Sequence, residues 1–337
     1  MNRNDIVRLA LDARHNNVKG NFSMDETMHT LHEALVAANG GKKHLDIRDI
    51  RDGKCGETFA IIEQIIDVVK HDMFTEDPFF ARYVDYRNIE LGDKNEFFMP
   101  DTTPLFVSEI GAGSQAIRRQ RMFGGETFSV KTSLKGIKVY EELDLLLAGR
   151  VDFNAFMDRV AEAFRARTMT DIYAAWSGTI EGLAAPYAIT GSYSEEQMIG
   201  LIQHVKAVNG TREAYVLGTM LALSKVVASH DSAEVALASD YNTGIIGKFH
   251  GTDKVETANM YKPGTTEWML PDNVVNVMPA NVAVKPIMYV TEGRSLVLPH
   301  APIENNDLTQ EYMLCERTGV AARVPNGEGM FGRYTIA

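Results

Sequence analysis

Few residues in this sequence are spaced for chemistry. Gly111-Ala112-Gly113-Ser114-Gln115-Ala116 fits the loose glycine pattern of a dinucleotide turn. That pattern needs a helix N-terminus at the pyrophosphate and an acidic residue about twenty positions on. Gly124-Gly125 arrives too soon for such a helix and no strand ending in Asp or Glu follows, so the segment reads as a flexible turn. His29, His32 and Glu33 share one helical face. Zinc hydrolases place two histidines at i and i+4 with the glutamate between them. The order here is wrong and no third ligand stands out, so a solvated or packing face is the simpler reading. No G-x-x-x-x-G-K-[ST] phosphate loop and no G-x-S-x-G elbow occurs. Cys55 and Cys315 have no neighbouring histidine to activate a thiolate. Glu141, Glu142 and Asp144 cluster, but carboxylates favour a helix N-terminus, which explains them without acid–base work. No catalytic, cofactor or metal residue is assigned.

Arg118, Arg119 and Arg121 form the one compact arginine cluster, followed by Met122 and Phe123. The arginine fork binds carboxylates in two places, which makes these three candidate inter-subunit contacts. A solvated face with no fixed partner explains them equally well, and phosphate binding ranks behind both.

The elements that would position such residues sit in a chain of 337 residues, 45% hydrophobic and 23% charged. That composition excludes a disordered, collagen-like or disulfide-stapled chain. Lys+Arg 34 against Asp+Glu 45 gives −11, so the chain does not coat itself on nucleic acid or an anionic membrane. No run of 18 apolar residues predicts a transmembrane helix, and the charged first thirty residues are no signal peptide. Two lone cysteines point to a reducing compartment.

Ile6, Leu9, Ala10 and Ala13 repeat at helical spacing, as do Met28, Leu31 and Leu35 behind the capping box Ser23-Met24-Asp25-Glu26. Gly40-Gly41 stops that helix. Lys42 to Lys54 reads as an exposed strap, and Phe59, Ile62, Ile66 and Val69 make a third stripe. This helical segment is either an arm leaning on something else or a small helical domain. Residues 86 to 136 are turn-rich, with short β-prone pieces. A structureless loop that long is improbable, so the spacing predicts a projecting two-stranded ribbon. With about 18 residues each way it would reach on the order of 60 Å and should lie on a neighbour.

Asp152, as N-cap, opens the clearest helix, with the stripe Phe153, Phe156, Val160, Ala163, Phe164 and Ile172, running through Trp176 to Gly178. A second capping box, Ser194 to Gln197, leads into Met198, Leu201, Ile202 and Val205. Ala214 to Leu217 reads as a strand and Met220 to Val227 as a helix. Ile287 to Val290 and Glu311 to Cys315 are further strands, with Glu316 to Arg323 alternating loosely. The order is a mixed α+β architecture.

Taken in order, these parts resemble the major capsid proteins of tailed phages, the Hong Kong 97-type fold. Val84 to Asp93 looks like the entry to the extended loop. Ile137 to Asp144 looks like the strand and short helix before the spine helix, and Asp152 to Trp176 like that helix. Glu195 to Val227 looks like the start of the axial domain, and Glu316-Arg317-Thr318-Gly319 like the final peripheral strand. The resemblance implies five parts: an N-terminal helical arm (1–83), an extended loop (84–136), a peripheral domain with the spine helix (137–185), an axial domain (186–285) and returning peripheral strands (286–337). It implies no catalytic residue and no cofactor. The expected partners are further copies, as hexamers and pentamers of an icosahedral shell, with portal, scaffold and decoration proteins beside them. Packaged double-stranded DNA would be touched weakly and no membrane at all. The expected location is the virion, assembled in host cytoplasm from an uncleaved chain with a separate scaffold or none. An encapsulin-type nanocompartment shell is the alternative within the fold. A hydrolase or oxidoreductase with a β-rich insertion is the alternative outside it.

Overall fold

The computed structural model describes residues 3–14, 24–44, 47–75, 78–101, 105–109, 119–120, 124–140, 148, 150, 153–227, 247–257, 259–262, 264–280, 282, 284–300, 311–324 and 331–337. Helices come first: α1 (Arg3–Arg14), α2 (Met24–Ala38), α3 (Ile47–Arg51), α4 (Gly56–Thr75) and α5 (Pro78–Tyr83). Ile6, Val7 and Ala10 of α1 are buried, and so are Leu31 and Leu35 of α2. After α2, Gly40 and Gly41 take φ of 70° and 82°, a turn out of the helix that side chains with a Cβ resist. The expected strap is partly helical, through α3, and Asp49 within it pairs with Lys42 and Lys54. α4 buries Phe59, Ile61, Ile62, Ile65 and Ile66, a band wider than the single predicted stripe. The side chains of Ala13, Met28, Val69, Phe153 and Phe156, together with Ser23 and Asp152, lie outside the described residues.

The long helix α6 (Phe153–Glu181) is the backbone of the molecule. At 1.5 Å per residue it spans about 43 Å. Val160, Ala161, Phe164, Met169, Ile172, Tyr173, Trp176 and Ile180 are buried along it. Ala163, expected in the stripe, faces solvent. The helix runs past Gly178, because Ile180 still has a core to enter. The front of α6 shares one apolar cluster with α1, α2 and α4 and with Val297 and Leu314 of the first sheet. The N-terminal helices therefore lean on their own chain.

That first sheet contains β1 (Val84–Ile89), β4 (Ser133–Tyr140), β10 (Ile287–Glu292), β11 (Leu296–His300) and β12 (Glu311–Ala322). Its order is β1-β10-β12-β11, with β4 along the other edge of β12. β1 runs parallel to β10 and the remaining pairs are antiparallel. The ends of the expected ribbon belong to this sheet. Val84–Ile89 and Ser133–Tyr140 have body strands to pair with, and among the described residues the ribbon's ladder is β2 (Glu96–Pro100) with β3 (Gly125–Ser129). Five residues reach about 17 Å.

The second sheet has the order β5-β13-β9-β6-β8-β7, made of β5 (Ala188–Gly191), β6 (Ala214–Gly218), β7 (Lys248–Phe249), β8 (Thr252–Glu256), β9 (Val274–Pro279) and β13 (Gly332–Ile336). The last strand thus joins this sheet, between β5 and β9, where Tyr334 and Ile336 enter its core. Two helices cover one face: α7 (Glu195–Val208) and α8 (Met220–Ser224). Thr219 caps α8, accepting the Ala222 N–H at 3.3 Å, and α8 ends three residues short of the expected Val227. Ser194 sits at the N-cap of α7 without a side-chain cap bond. Its backbone N–H instead donates to the Tyr334 hydroxyl at 3.0 Å, which lies 2.7 Å from the Ser192 carbonyl.

Candidate assembly surfaces

The ribbon root is laid onto the first sheet by aromatic contacts. Phe97, Met99 and Val130 bury against Met288 and Val290 of β10. Phe97 stacks on Phe128. The Arg87 guanidinium sits 4.0 Å above the Phe97 ring, and that of Arg323 5.4 Å from Phe128, cation–π contacts that hold a cation at a ring face. The chain leaving the ribbon crosses β12 closely, for a Cβ on Gly319 would stand 2.4 Å from the Lys131 carbonyl oxygen. Polar ties finish the root: the Thr132 hydroxyl donates to Glu292 at 2.6 Å, and Arg317 pairs with the same carboxylate at 3.7 Å.

Beyond the root, Gln120 clasps Phe106 through both amide atoms. Its Oε1 accepts the Phe106 N–H at 2.9 Å and its Nε2 donates to the Phe106 carbonyl at 2.6 Å. This side chain imitates a backbone rung across the two arms. Leu105, Phe106 and Val107 are all more than half exposed there. Arg119 stands exposed beside Gln120. Arg118 and Arg121 lie outside the described residues. Gly111–Ala116, Glu141, Glu142 and Asp144 also lie outside them.

The remaining candidates resolve simply. His29 and Glu33 form an exposed pair at 3.5 Å. Among the described residues no group of three His, Cys, Asp or Glu side chains could hold a metal ion. No described helix is long and apolar enough to cross a membrane. Cys55 and Cys315 are buried and in no disulfide, and burial, with Glu63 adding to it, pushes the Cys315 thiol up, away from reactivity. The Lys42 and Lys54 ammonium groups hold the Asp49 carboxyl low. A groove of about 520 Å³ runs along β1 beside Tyr86, Asn88, Tyr289 and Thr291. Its tyrosines stack on each other at 5.3 Å, and burial raises the Tyr289 phenol.

The family model described as "SPbeta prophage-derived putative capsid protein YonB" matches residues 8–328. The chain belongs to this capsid protein family. No curated protein sequence matches it significantly. Solved structures similar to this YonB-family chain include the mature capsid of bacteriophage PhiM1, 13% identical, with a TM-score of 0.44 over 78% of this chain and 88% of that one. Microbacterium phage Oxtober96 gives 12% identity and a TM-score of 0.48 over 75% and 89%. A virus-like particle from Pyrococcus furiosus gives 12% and 0.43 over 82% and 98%.

Arg87, Arg323 and Gln120 were not singled out from the sequence. Their roles depend on which aromatic or backbone group the fold delivers, and no local spacing announces that.

Proposed function

We propose that this chain is the major capsid protein of a tailed phage, a structural subunit of Hong Kong 97 type whose copies close into hexamers and pentamers of an icosahedral shell around DNA. Membership of the capsid protein family carries the reading. The order of parts supports it: N-terminal helices, ribbon, long helix, then a second sheet with its own helices. Its place is the virion. Heterologous contacts that close make rings, and many weak contacts repeated around a shell add to a stable whole. With a net charge of −11, the subunit would grip packaged DNA only weakly.

The ribbon beyond its root, where Leu105 to Val107 are more than half exposed, is the part read as reaching a neighbouring copy. Asp101 N–H already donates to the Gly124 carbonyl at 2.8 Å, so residues 102–123 can be excised and the ends joined by a short glycine–serine link. β2 and β3 stay in place over Met288 and Val290. The expected outcome, by electron microscopy and thermal melting, is a folded subunit that no longer closes shells. Normal shells from the excised chain would overturn the role given to the tip.

A further inference from the structure

Between β8 and β9 the chain makes a small, self-supporting finger. Tyr261 and Trp268 bridge its two arms with rings stacked 4.4 Å apart and 17° from parallel. At its base the Asn259 side chain donates to the Leu270 carbonyl and accepts the Leu270 N–H, at 3.0 and 2.9 Å. At its tip Gly264 turns with φ of 75°, and Lys262 pairs with Glu267 at 3.0 Å. The two rings hold each other in place, yet Tyr261 stays 53% and Trp268 49% exposed. Rigid, half-exposed Tyr and Trp lose little entropy on contact and dominate interface energetics.

A second apolar face lies at the same end of the same sheet. Parallel pairing of β6 with β8 sets Gly218 beside Glu256, and Thr257 N–H donates to the Gly218 carbonyl. α8 follows Gly218 at once and exposes Met220 and Leu221, each more than half. The two features are rooted on opposite faces of the sheet. Met269 and Leu270 at the finger's base pack into the cluster shared with Trp176 and Leu217, whereas Ala222 and Leu223 of α8 pack into the cluster with Val216 and Val275.

We infer that the Tyr261–Trp268 finger of one copy seats on the Met220–Leu221 face of the next, head to tail. This rests on the shell reading above and names one of its contacts. A knob leaving one face and a seat leaving the other, at one end of the sheet, are unlike surfaces that repeat around a ring. Charge favours the same site. Two copies that each carry −11 repel, and the finger is neutral because Lys262 answers Glu267. Its small area makes the contact weak alone, which suits a subunit held on several sides.

Tryptophan fluorescence of the native chain reads this directly. Its only tryptophans are Trp176, 3% exposed, and Trp268. In the free subunit Trp268 should supply a red-shifted component open to acrylamide, absent from Trp268→Phe. On assembly that component should shift to the blue and its quenching fall at least threefold. Met220→Glu, on an exposed face, should keep the far-ultraviolet circular dichroism of the native subunit and assemble at least tenfold less. Shells in which Trp268 stays as open to quencher as before, or full assembly of Met220→Glu, would overturn the inference and leave the shell reading standing. A native chain that forms neither rings nor shells would instead sink the shell reading and the inference with it.

Discussion

The two sheets of this chain are assembled from different distances. The first pairs Val84 with Ile287 and Tyr140 with Glu311. It needs the N-terminal helices, the ribbon root and the front of α6 to cover it. Its interior is partly polar: Thr168, Glu316 and Thr318 are buried there, and Lys135 of β4 pairs with Asp171 of α6. The second sheet takes all its strands from residues 188–336. Thr219, Thr252 and Lys254 are buried around it, beside its apolar cluster with α7 and α8, and its other face shares a cluster with α5 and α6. The first unit is thus the one that far-apart segments must agree on, so damage should spread further in it.

The sharpest way to break this contrast is Phe164→Asp, which places a charge in the cluster joining α6 to the N-terminal helices. A loss of about 4 kcal/mol or more is expected in chemical denaturation, with amide exchange rising first in α1, α2 and α4. Simultaneous, equal loss of protection in the second sheet would show the two units to be one cooperative block. Gly319→Ala is milder. Its Cβ meets backbone at the Lys131 carbonyl, a clash that only movement of the ribbon root relieves. About 2 kcal/mol of destabilisation is expected, seen as a lowered thermal midpoint, and an unchanged midpoint would mean that the root is loosely held.

Tyr334→Phe strikes the second sheet alone. It removes the hydroxyl that accepts the Ser194 N–H at the start of α7, for about 1 kcal/mol. Exchange should quicken at α7 and stay unchanged in α4. The smallest effect is on pH. Burial lifts the phenols of Tyr83, Tyr193 and Tyr289 above the ordinary 10.0, that of Tyr193 up to about 12. In the unfolded chain these groups lose their protons first. Stability is therefore full below pH 10 and falls as pH rises, for Tyr193 through about 12. Ionisation of any of these three near pH 10 while the fold persists, read from its own ring resonances, would contradict it.

Helices were the legible part of the sequence. Ile6 and Ala10, Leu31 and Leu35, and Val160 and Phe164 announced themselves by spacing alone, since a helix carries its hydrogen bonds within itself. Strands were legible where apolar runs were unbroken, as in Ile287–Val290 and Ala214–Leu217. β13, Gly-Arg-Tyr-Thr-Ile, is short and alternating, and only partners more than fifty residues upstream give it a place. β1, read as the entry to the extended loop, pairs with β10, and nothing near Val84 tells that Ile287 will arrive beside it. Assembly surfaces were hardest to see. Gln120 and Phe106 are an ordinary amide and an ordinary ring until two arms bring them together. Trp268, one of two tryptophans, was a signal that went unused.

The position of β13 has a consequence for synthesis. Translation delivers β5, β6, β8 and β9 early, yet the slot between β5 and β9 stays empty until residues 332–336 emerge from the ribosome. A polypeptide that stops before residue 332 therefore leaves the facing edges of β5 and β9 unpaired, and such edges invite aggregation or chaperone capture. Emergence of β13 is then the step that lets the second sheet close, and copies that stop before it are withheld.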